Sequence, residues 1–410
     1  PSAPASTPHD SELAAFALAE GFHTAATSCG LKPSGNLDLG LVWSDAPCSA
    51  AGVFTTNRVQ AAPVVLCRET LAAAGSRMRG VIYNSGCANA VTGERGLEDA
   101  RRMRSLGAQA VGAADDEMLV LSTGIIGRFL DLEKLAAGVA TLRSASTLHA
   151  PGDAARAILT TDTRAKLATA DATLRGGRVR VAGFAKGAGM IHPNMATMLA
   201  VVTTDARIEP TRLDRCLRSA VAHSFNRISV DGDMSTNDTA LVLASGASHA
   251  SVDDSGEAAF TAALTQVCSS LARQIARDGE GATRLVELHI TGGASEHQAH
   301  RVGDTIACSP LVKTAIHGND PNWGRILAAA GYSGEPIEPG RVRLWFGDRD
   351  ALQLLDRGLP VAFDAARASA LLREDPAIVH LDLGLGDASA IVWTCDLSAE
   401  YVRVNADYTT

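Results

Sequence analysis

The sequence contains no Cys-x-x-Cys pair. Its eight cysteines, Cys29, Cys48, Cys67, Cys87, Cys216, Cys268, Cys308 and Cys395, are scattered, so neither a zinc knuckle nor a redox motif is indicated. Isolated thiols in a chain this long read as small apolar core residues of a cytoplasmic protein. In that compartment the single sequon at Asn237-Asp-Thr239 has no bearing. Runs of Lys or Arg are also lacking, and the formal net charge is −8, which argues against nucleic acid or an anionic membrane as partner. No apolar stretch approaches the roughly 18 residues that a spanning helix needs. The opening Pro1-Ser-Ala-Pro-Ala-Ser-Thr-Pro-His9 lacks the charge-then-apolar order of a signal peptide and reads as a flexible leader. Internal repeats are not evident. Lys186-Gly-Ala-Gly189 lacks the Gly-Lys-Ser/Thr ending of a phosphate loop, so no nucleotide site is indicated.

What the chain does have is enough apolar residues, 46% of 410, to bury a large core. Short apolar runs at Leu39–Trp43, Ala51–Phe54, Pro63–Leu66, Gly80–Tyr83 and Met118–Leu121 read as buried strands. Leu97, Ala100, Met103, Leu106 and Ala110 recur at near-helical spacing and predict a helix over one sheet face. A hairpin is expected over residues 173–184, turning at Gly176-Gly177, and a central strand over Leu199–Thr204. A helix is expected to start at Thr211, with Asp214 three residues on, and another to fill 257–277. From Leu285 the pattern becomes alternating strands around a short helix near 365–372, which places an accessory lobe at about 285–395. The class is α/β, or α+β.

One stretch promises chemistry: Lys186-Gly-Ala-Gly-Met-Ile-His-Pro-Asn-Met-Ala-Thr-Met-Leu199. Gly187, Gly189 and Pro193 predict a sharp bend just before Thr197, which heads an apolar strand. A threonine hydroxyl is a weak nucleophile unless a base adjoins it, and the α-amine of a threonine that has become a chain terminus is such a base. Its ordinary pKa, about 7.7–8.0, lies close to neutrality. Attack of the Thr197 hydroxyl on the Ala196 carbonyl, followed by hydrolysis of the resulting ester, would expose that amine. Read without its flanks, Thr197 is an ordinary strand residue.

This stretch resembles the self-cleavage site of the ornithine acetyltransferase family, the bifunctional glutamate N-acetyltransferases of arginine biosynthesis. Further segments similar to the family follow in its order: Phe54-Thr-Thr-Asn57, Asn84-Ser-Gly-Cys-Ala-Asn89, Ser122-Thr-Gly-Ile-Ile-Gly127, Thr160-Thr-Asp-Thr163, Ser235-Thr-Asn-Asp-Thr239, Asp278-Gly-Glu-Gly281, His317-Gly-Asn-Asp-Pro-Asn-Trp-Gly-Arg325 and Asn405-Ala-Asp-Tyr-Thr-Thr410. The resemblance implies a four-layer αββα core with a smaller C-terminal α/β lobe. It also implies cleavage between Ala196 and Thr197 into chains 1–196 and 197–410, and an assembly of two of each.

Acyl transfer passes through an oxyanion that needs donors already aimed at it. The resemblance assigns that task to the Thr123 hydroxyl and the Gly124 N–H, although Ser-Thr-Gly also suits a plain strand-ending turn. It makes Thr160, Lys186, Thr197, Glu280, Asn405 and Thr410 the substrate contacts, with Glu280 accepting the ornithine amine and Lys186 offering charge to a carboxylate. The implied substrates are N-acetylornithine and glutamate; whether acetyl-CoA also donates is left open, and no cofactor is implied. The 317–325 stretch, with one histidine and one aspartate, is an incomplete ligand set and reads as a structural loop near the site rather than a metal centre. The rival readings are a threonine-nucleophile amidase or aminopeptidase, an acetyltransferase with a different acceptor in secondary metabolism, and a non-catalytic binding protein.

Overall fold

The computed structural model describes residues 8–144, 150–192 and 198–407. Its larger sheet is built from β1 (Phe22–Thr27), β2 (Leu39–Phe54), β3 (Met78–Cys87), β4 (Met118–Ile125), β5 (Lys166–Leu174), β6 (Gly177–Lys186), β7 (Leu199–Thr204) and β8 (Thr239–Ala244). The order is β4-β3-β2-β8-β7-β6-β5, with β1 also on β2. The long strand β2 is the joint. Its first half, Leu39–Trp43, pairs with β3, and its second half, Ser49–Phe54, pairs with β8, with the register shifting between Trp43 and Cys48.

The two halves fold over each other. Tyr83 of β3 and Phe184 of β6 lie four strands apart in the order, yet their rings meet with centroids 5.9 Å apart. Strand alternation then assigns the outer faces. Ile82, next to Tyr83, points the other way, and its Cγ2 would lie 2.8 Å from a Cβ placed on Gly107 of α3 (Gly93–Val111). On the second half, Leu199, Val201, Leu241 and Leu243 join the core between the sheets. Ala200, Val202, Ala240 and Val242 turn outward onto α6 (Pro210–Ala222) and α7 (Glu257–Arg277), through Leu213, Leu217, Leu264 and Leu271. Helix, sheet, sheet, helix is the four-layer αββα core expected from the sequence. Both faces of β7 and β8 are buried, which explains why these strands read as unbroken apolar runs.

The second sheet runs β12-β11-β10-β13-β9-β14, from β9 (Leu285–Gly293), β10 (Arg343–Phe346), β11 (Leu352–Asp356), β12 (Leu359–Pro360), β13 (Ala377–Asp382) and β14 (Ala388–Cys395). It has its own core, in which Leu288, Ile290, Leu344 and Val379 meet Val302 and Ile306 of α8 (Glu296–Ala307), Ile316 of α9 (Pro310–His317), Ala329 of α10 (Trp323–Gly331) and Ala368 of α11 (Ala365–Leu372). Leu285, Trp393 and Cys395 belong to the first core, which fastens this sheet to α7. The remaining helices are α1 (Pro8–Ala15), α2 (Ala62–Ala74), α4 (Leu132–Ser144), α5 (Pro151–Ala157) and α12 (Ala399–Asp407). None of the described helices is long and apolar enough to cross a membrane.

Four local expectations are corrected. Pro63–Leu66 is not a strand but the first turn of α2, with Pro63 in the opening positions where a missing N–H costs nothing. Leu39–Trp43 and Ala51–Phe54 are two ends of one strand rather than two strands. The β5–β6 hairpin turns at Arg175-Gly176, because Leu174 pairs with Gly177. Helix α6 begins at Pro210 behind Glu209, so Thr211 does not cap it.

Candidate active site

Strands β3 and β4 run parallel and end together, with Gly86 opposite Gly124 and the register slipping there. Gly124 has φ +128°, and a Cβ on it would sit 2.4 Å from the Gly86 carbonyl carbon and 2.6 Å from the Cys87 nitrogen. Only glycine fits, because the obstacle is backbone. The turn is braced from behind. Asn237 Nδ2 donates to the carbonyls of Ala88 (2.7 Å) and Ser122 (2.9 Å), and Ser122 Oγ donates to Asn84 Oδ1 (2.7 Å). Thr123, 3% exposed, is thereby fixed beside Gly124.

The approach along 186–192 is held by carboxylates. Gly187 N donates to Asp162 Oδ1 (2.6 Å), and Met190 N and Ile191 N donate to the two oxygens of Asp231 (2.6 and 2.8 Å). Met190 adopts φ +57°, so the strain of this turn falls on a residue with a side chain. Of the two glycines, Gly187 takes a positive φ, whereas Gly189 is required for space: a Cβ there would lie 2.3–2.6 Å from the Glu280 carboxylate. Glu280 is tied by its own N–H to the Ala188 carbonyl (2.8 Å), and its Oε2 accepts from Asn405 Nδ2 (2.9 Å) on α12.

Behind this surface is a buried charge network absent from the sequence reading. Lys166 Nζ lies 2.5 Å from both Asp162 Oδ1 and Asp278 Oδ2, and Lys186 Nζ lies 3.7 Å from Asp162 Oδ2. The three lysine and aspartate side chains around Asp162 are shut off from solvent almost completely. Burial alone would raise the Asp162 carboxyl, but the charges of Lys166 and Lys186 and the Gly187 N–H hold it well below the usual carboxylate range. Burial lowers the Lys186 ammonium, with Asp162 opposing and Lys166 adding to the fall. Lys186 is therefore engaged by a carboxylate of the protein's own. Asp238 is also buried: its Oδ1 accepts the Met198 N–H (2.9 Å), while its Oδ2 has no partner among the described residues. Burial pushes its carboxyl well above the ordinary value, against the Met198 N–H and the Lys186 charge.

Thr123, Gly124, Thr160, Lys186, Glu280 and Asn405 all line one cleft. Ala196, Thr197 and Thr410 lie outside the described residues, and the nearest described neighbour, Met198, is bound to Asp238. Ser235, Thr236 and Asn237 line the same cleft, as do Gly189 and Met190. Their motif was visible, but their role was not, since the contacts span up to 180 residues of chain. No residue of 317–325 is among the cleft's lining. Instead, His317 Nδ1 lies 2.7 Å from Asp396 Oδ2, and Asp396 also accepts from Thr283, three residues after Glu280. That stretch supports the Glu280 turn from outside.

Comparison with known proteins adds the family. The ArgJ family profile matches residues 23–410. The arginine biosynthesis bifunctional protein ArgJ of Parasynechococcus marenigrum is 47% identical over 391 residues, covering 95% of this chain and 94% of that protein. Its counterpart in Geobacter sulfurreducens is 48% identical over 395 residues, covering 95% and 99%. A crystal structure of the Bacillus halodurans protein of the same name shares 41% identity, covers 50% of this chain and 97% of its own, and superposes with a TM-score of 0.48.

Proposed function

The chain belongs to the ArgJ family, and from that premise we propose that it cuts itself between Ala196 and Thr197 and then moves an acetyl group from N-acetylornithine to glutamate. The observation that carries this reading is near-half identity, over 95% of the chain, to bifunctional proteins of arginine biosynthesis. The cleft supports it by gathering residues from seven separate segments of sequence.

In this mechanism the Thr197 hydroxyl first attacks the Ala196 carbonyl, the acyl group shifts from nitrogen to oxygen, and water hydrolyses the ester. The freed α-amine then serves the same hydroxyl as base. Thr197 Oγ attacks the acetyl carbonyl of N-acetylornithine, and its proton passes through the amine to the leaving nitrogen as the C–N bond breaks. The Thr123 hydroxyl and Gly124 N–H stabilise the oxyanion. Ornithine departs, the glutamate amine attacks the acetyl ester, and Thr197 regains its proton. Glu280, steadied by Asn405, receives the ornithine side-chain amine, while Thr160, Lys186 and Thr410 contact the amino-acid backbone. The Lys186 ammonium, paired with Asp162 at 3.7 Å, favours the neutral form of the neighbouring amine.

The working protein is then two chains, 1–196 and 197–410, and two copies of each form the assembly, in the cytoplasm. Acetyl-CoA loading the same ester would add net synthesis of N-acetylglutamate. The test uses acetyl-labelled N-acetylornithine. Quenched before glutamate is added, the enzyme should carry label on the peptide that begins Thr197-Met-Leu-Ala, and glutamate should then discharge it as N-acetylglutamate. Label released only as acetate in the presence of glutamate would make the protein a hydrolase; an uncut, unlabelled but folded chain would make it no enzyme of this kind. Repeating the load with labelled acetyl-CoA decides the second donor.

A further inference from the structure

His192 projects from the approach to the cleavage site towards α8, where two further side chains meet it. Asp304 and Cys308 are four residues apart at the end of that helix, and the Cys308 N–H still donates to the Asp304 carbonyl (3.0 Å), so both side chains leave the same helical face. His192 Nδ1 lies 3.4 Å from Cys308 Sγ and 3.9 Å from Asp304 Oδ1, and Cys308 Sγ lies 3.8 Å from the same oxygen. An imidazole nitrogen, a carboxylate oxygen and a sulfur thus form a triangle. Metal–nitrogen and metal–oxygen bonds of about 2.0–2.2 Å and a metal–sulfur bond of about 2.3 Å place tetrahedral ligands about 3.3–3.7 Å apart. The triangle differs from that by a few tenths of an ångström.

We propose that His192, Asp304 and Cys308 are a binding site for one divalent cation of the zinc class, with water in the fourth position. Outer contacts favour the arrangement. Arg301 Nη1 occupies the other oxygen of Asp304 at 3.2 Å and leaves Oδ1 turned to the site, and Ser229 Oγ lies 3.3 Å from the Cys308 sulfur. The loop is fixed immediately before His192, since the Ile191 carbonyl accepts from the Val230 N–H at 2.8 Å. The His192 side chain is 25% exposed, which gives the ion a route in, whereas Asp304 is 6% exposed. Borderline-soft zinc suits one sulfur, one nitrogen and one oxygen; magnesium and calcium, which take oxygen ligands, do not. On binding, the thiol gives its proton to solvent and the sulfur bonds to the metal as thiolate.

Cobalt(II) is the probe, because it occupies zinc sites and reports thiolate ligation by absorption. The protein, treated with chelator and then titrated with Co²⁺, should take up one ion per chain with a thiolate-to-cobalt charge-transfer band, and Zn²⁺ should abolish the band. Cys308→Ser and His192→Gln should lose the band, Asp304→Asn should weaken binding at least tenfold, and Cys29→Ser, which removes the other half-buried thiol, should keep it. His192→Gln alters a partly exposed residue and so keeps the test open if Cys308→Ser folds poorly. No band in the wild type, or a band that survives His192→Gln, overturns the site and leaves a thiol–imidazole contact without metal.

Discussion

At the scale of single residues, the cleft is made by side chains that must be present and side chains that must be missing. On the proposed mechanism Thr123 is one that must be present: it is almost fully buried yet lines the cleft. Thr123→Val keeps the shape and removes the donor, so acetyl transfer should slow about 10²-fold or more with little change in the urea midpoint. Unchanged turnover would remove Thr123 from the mechanism. Gly189 is one that must be missing. Its φ is unremarkable for any residue, but a methyl group would press on the Glu280 carboxylate, which is the flexible partner and would move. Gly189→Ala should therefore fold and raise KM for N-acetylornithine tenfold or more, about 1.4 kcal/mol, with kcat affected less. An unaltered KM would mean that Glu280 does not touch substrate. The places of Thr123, Gly124 and Lys186 in the cleft were legible because each sits inside a short motif. Asp162, Lys166, Asp278 and Asn237 were not, because a buried cation and its carboxylates can be matched only after the chain has folded 112 residues back on itself.

At the scale of elements, long periodic segments were readable and short ones were not. Helix α7 is bounded as its spacing predicts, since Phe260, Leu264, Val267, Leu271 and Ile275 mark one face for about four turns. Pro63–Leu66 offered four apolar residues, too few to separate a strand from the start of a helix. What the elements do together is best tested at Asp162, which joins the segment before β5 to β6 through Lys186 and, by way of Lys166, to the end of α7 through Asp278. Its folded pKa lies below its unfolded value of about 3.9, so its stabilising contribution is complete above that value and is lost as pH falls from there towards the folded pKa. Asp162→Asn leaves two buried ammonium groups short of a countercharge. Near neutral pH it should cost about 3–5 kcal/mol of unfolding free energy, with the gap from wild type closing as the pH falls below about 4. Urea titrations across that range check it; a gap that stays constant into acid would mean the loss is one of packing and not of charge.

At the scale of the molecule, the order of strands has a bearing on what the proposed cut before Thr197 would do to the protein. Strand β6 ends at Lys186 and β7 begins at Leu199, and these two residues are paired across neighbouring strands; β2 is likewise paired to β8. A cut between Ala196 and Thr197 would divide the larger sheet, leaving β1 to β6 in one piece and β7 and β8 in the other, whereas the second sheet lies wholly within 197–410. While the chain is whole, β6 finds β7 by closing a loop of a dozen residues, a cost that depends only weakly on length and not at all on concentration. With the bond before Thr197 cut as proposed, a denatured molecule would be two solutes, and the same pairing would become an encounter between strangers. The cut would thus act as a ratchet: folding happens once, on the intact precursor, and what is kept afterwards is kinetic persistence. Uncut Thr197→Ala protein should regain its structure on dilution from urea with a yield independent of concentration, while the processed protein should recover less the more it is diluted. Equal recovery at every dilution would show that the two pieces do not part in urea, and the ratchet would fall.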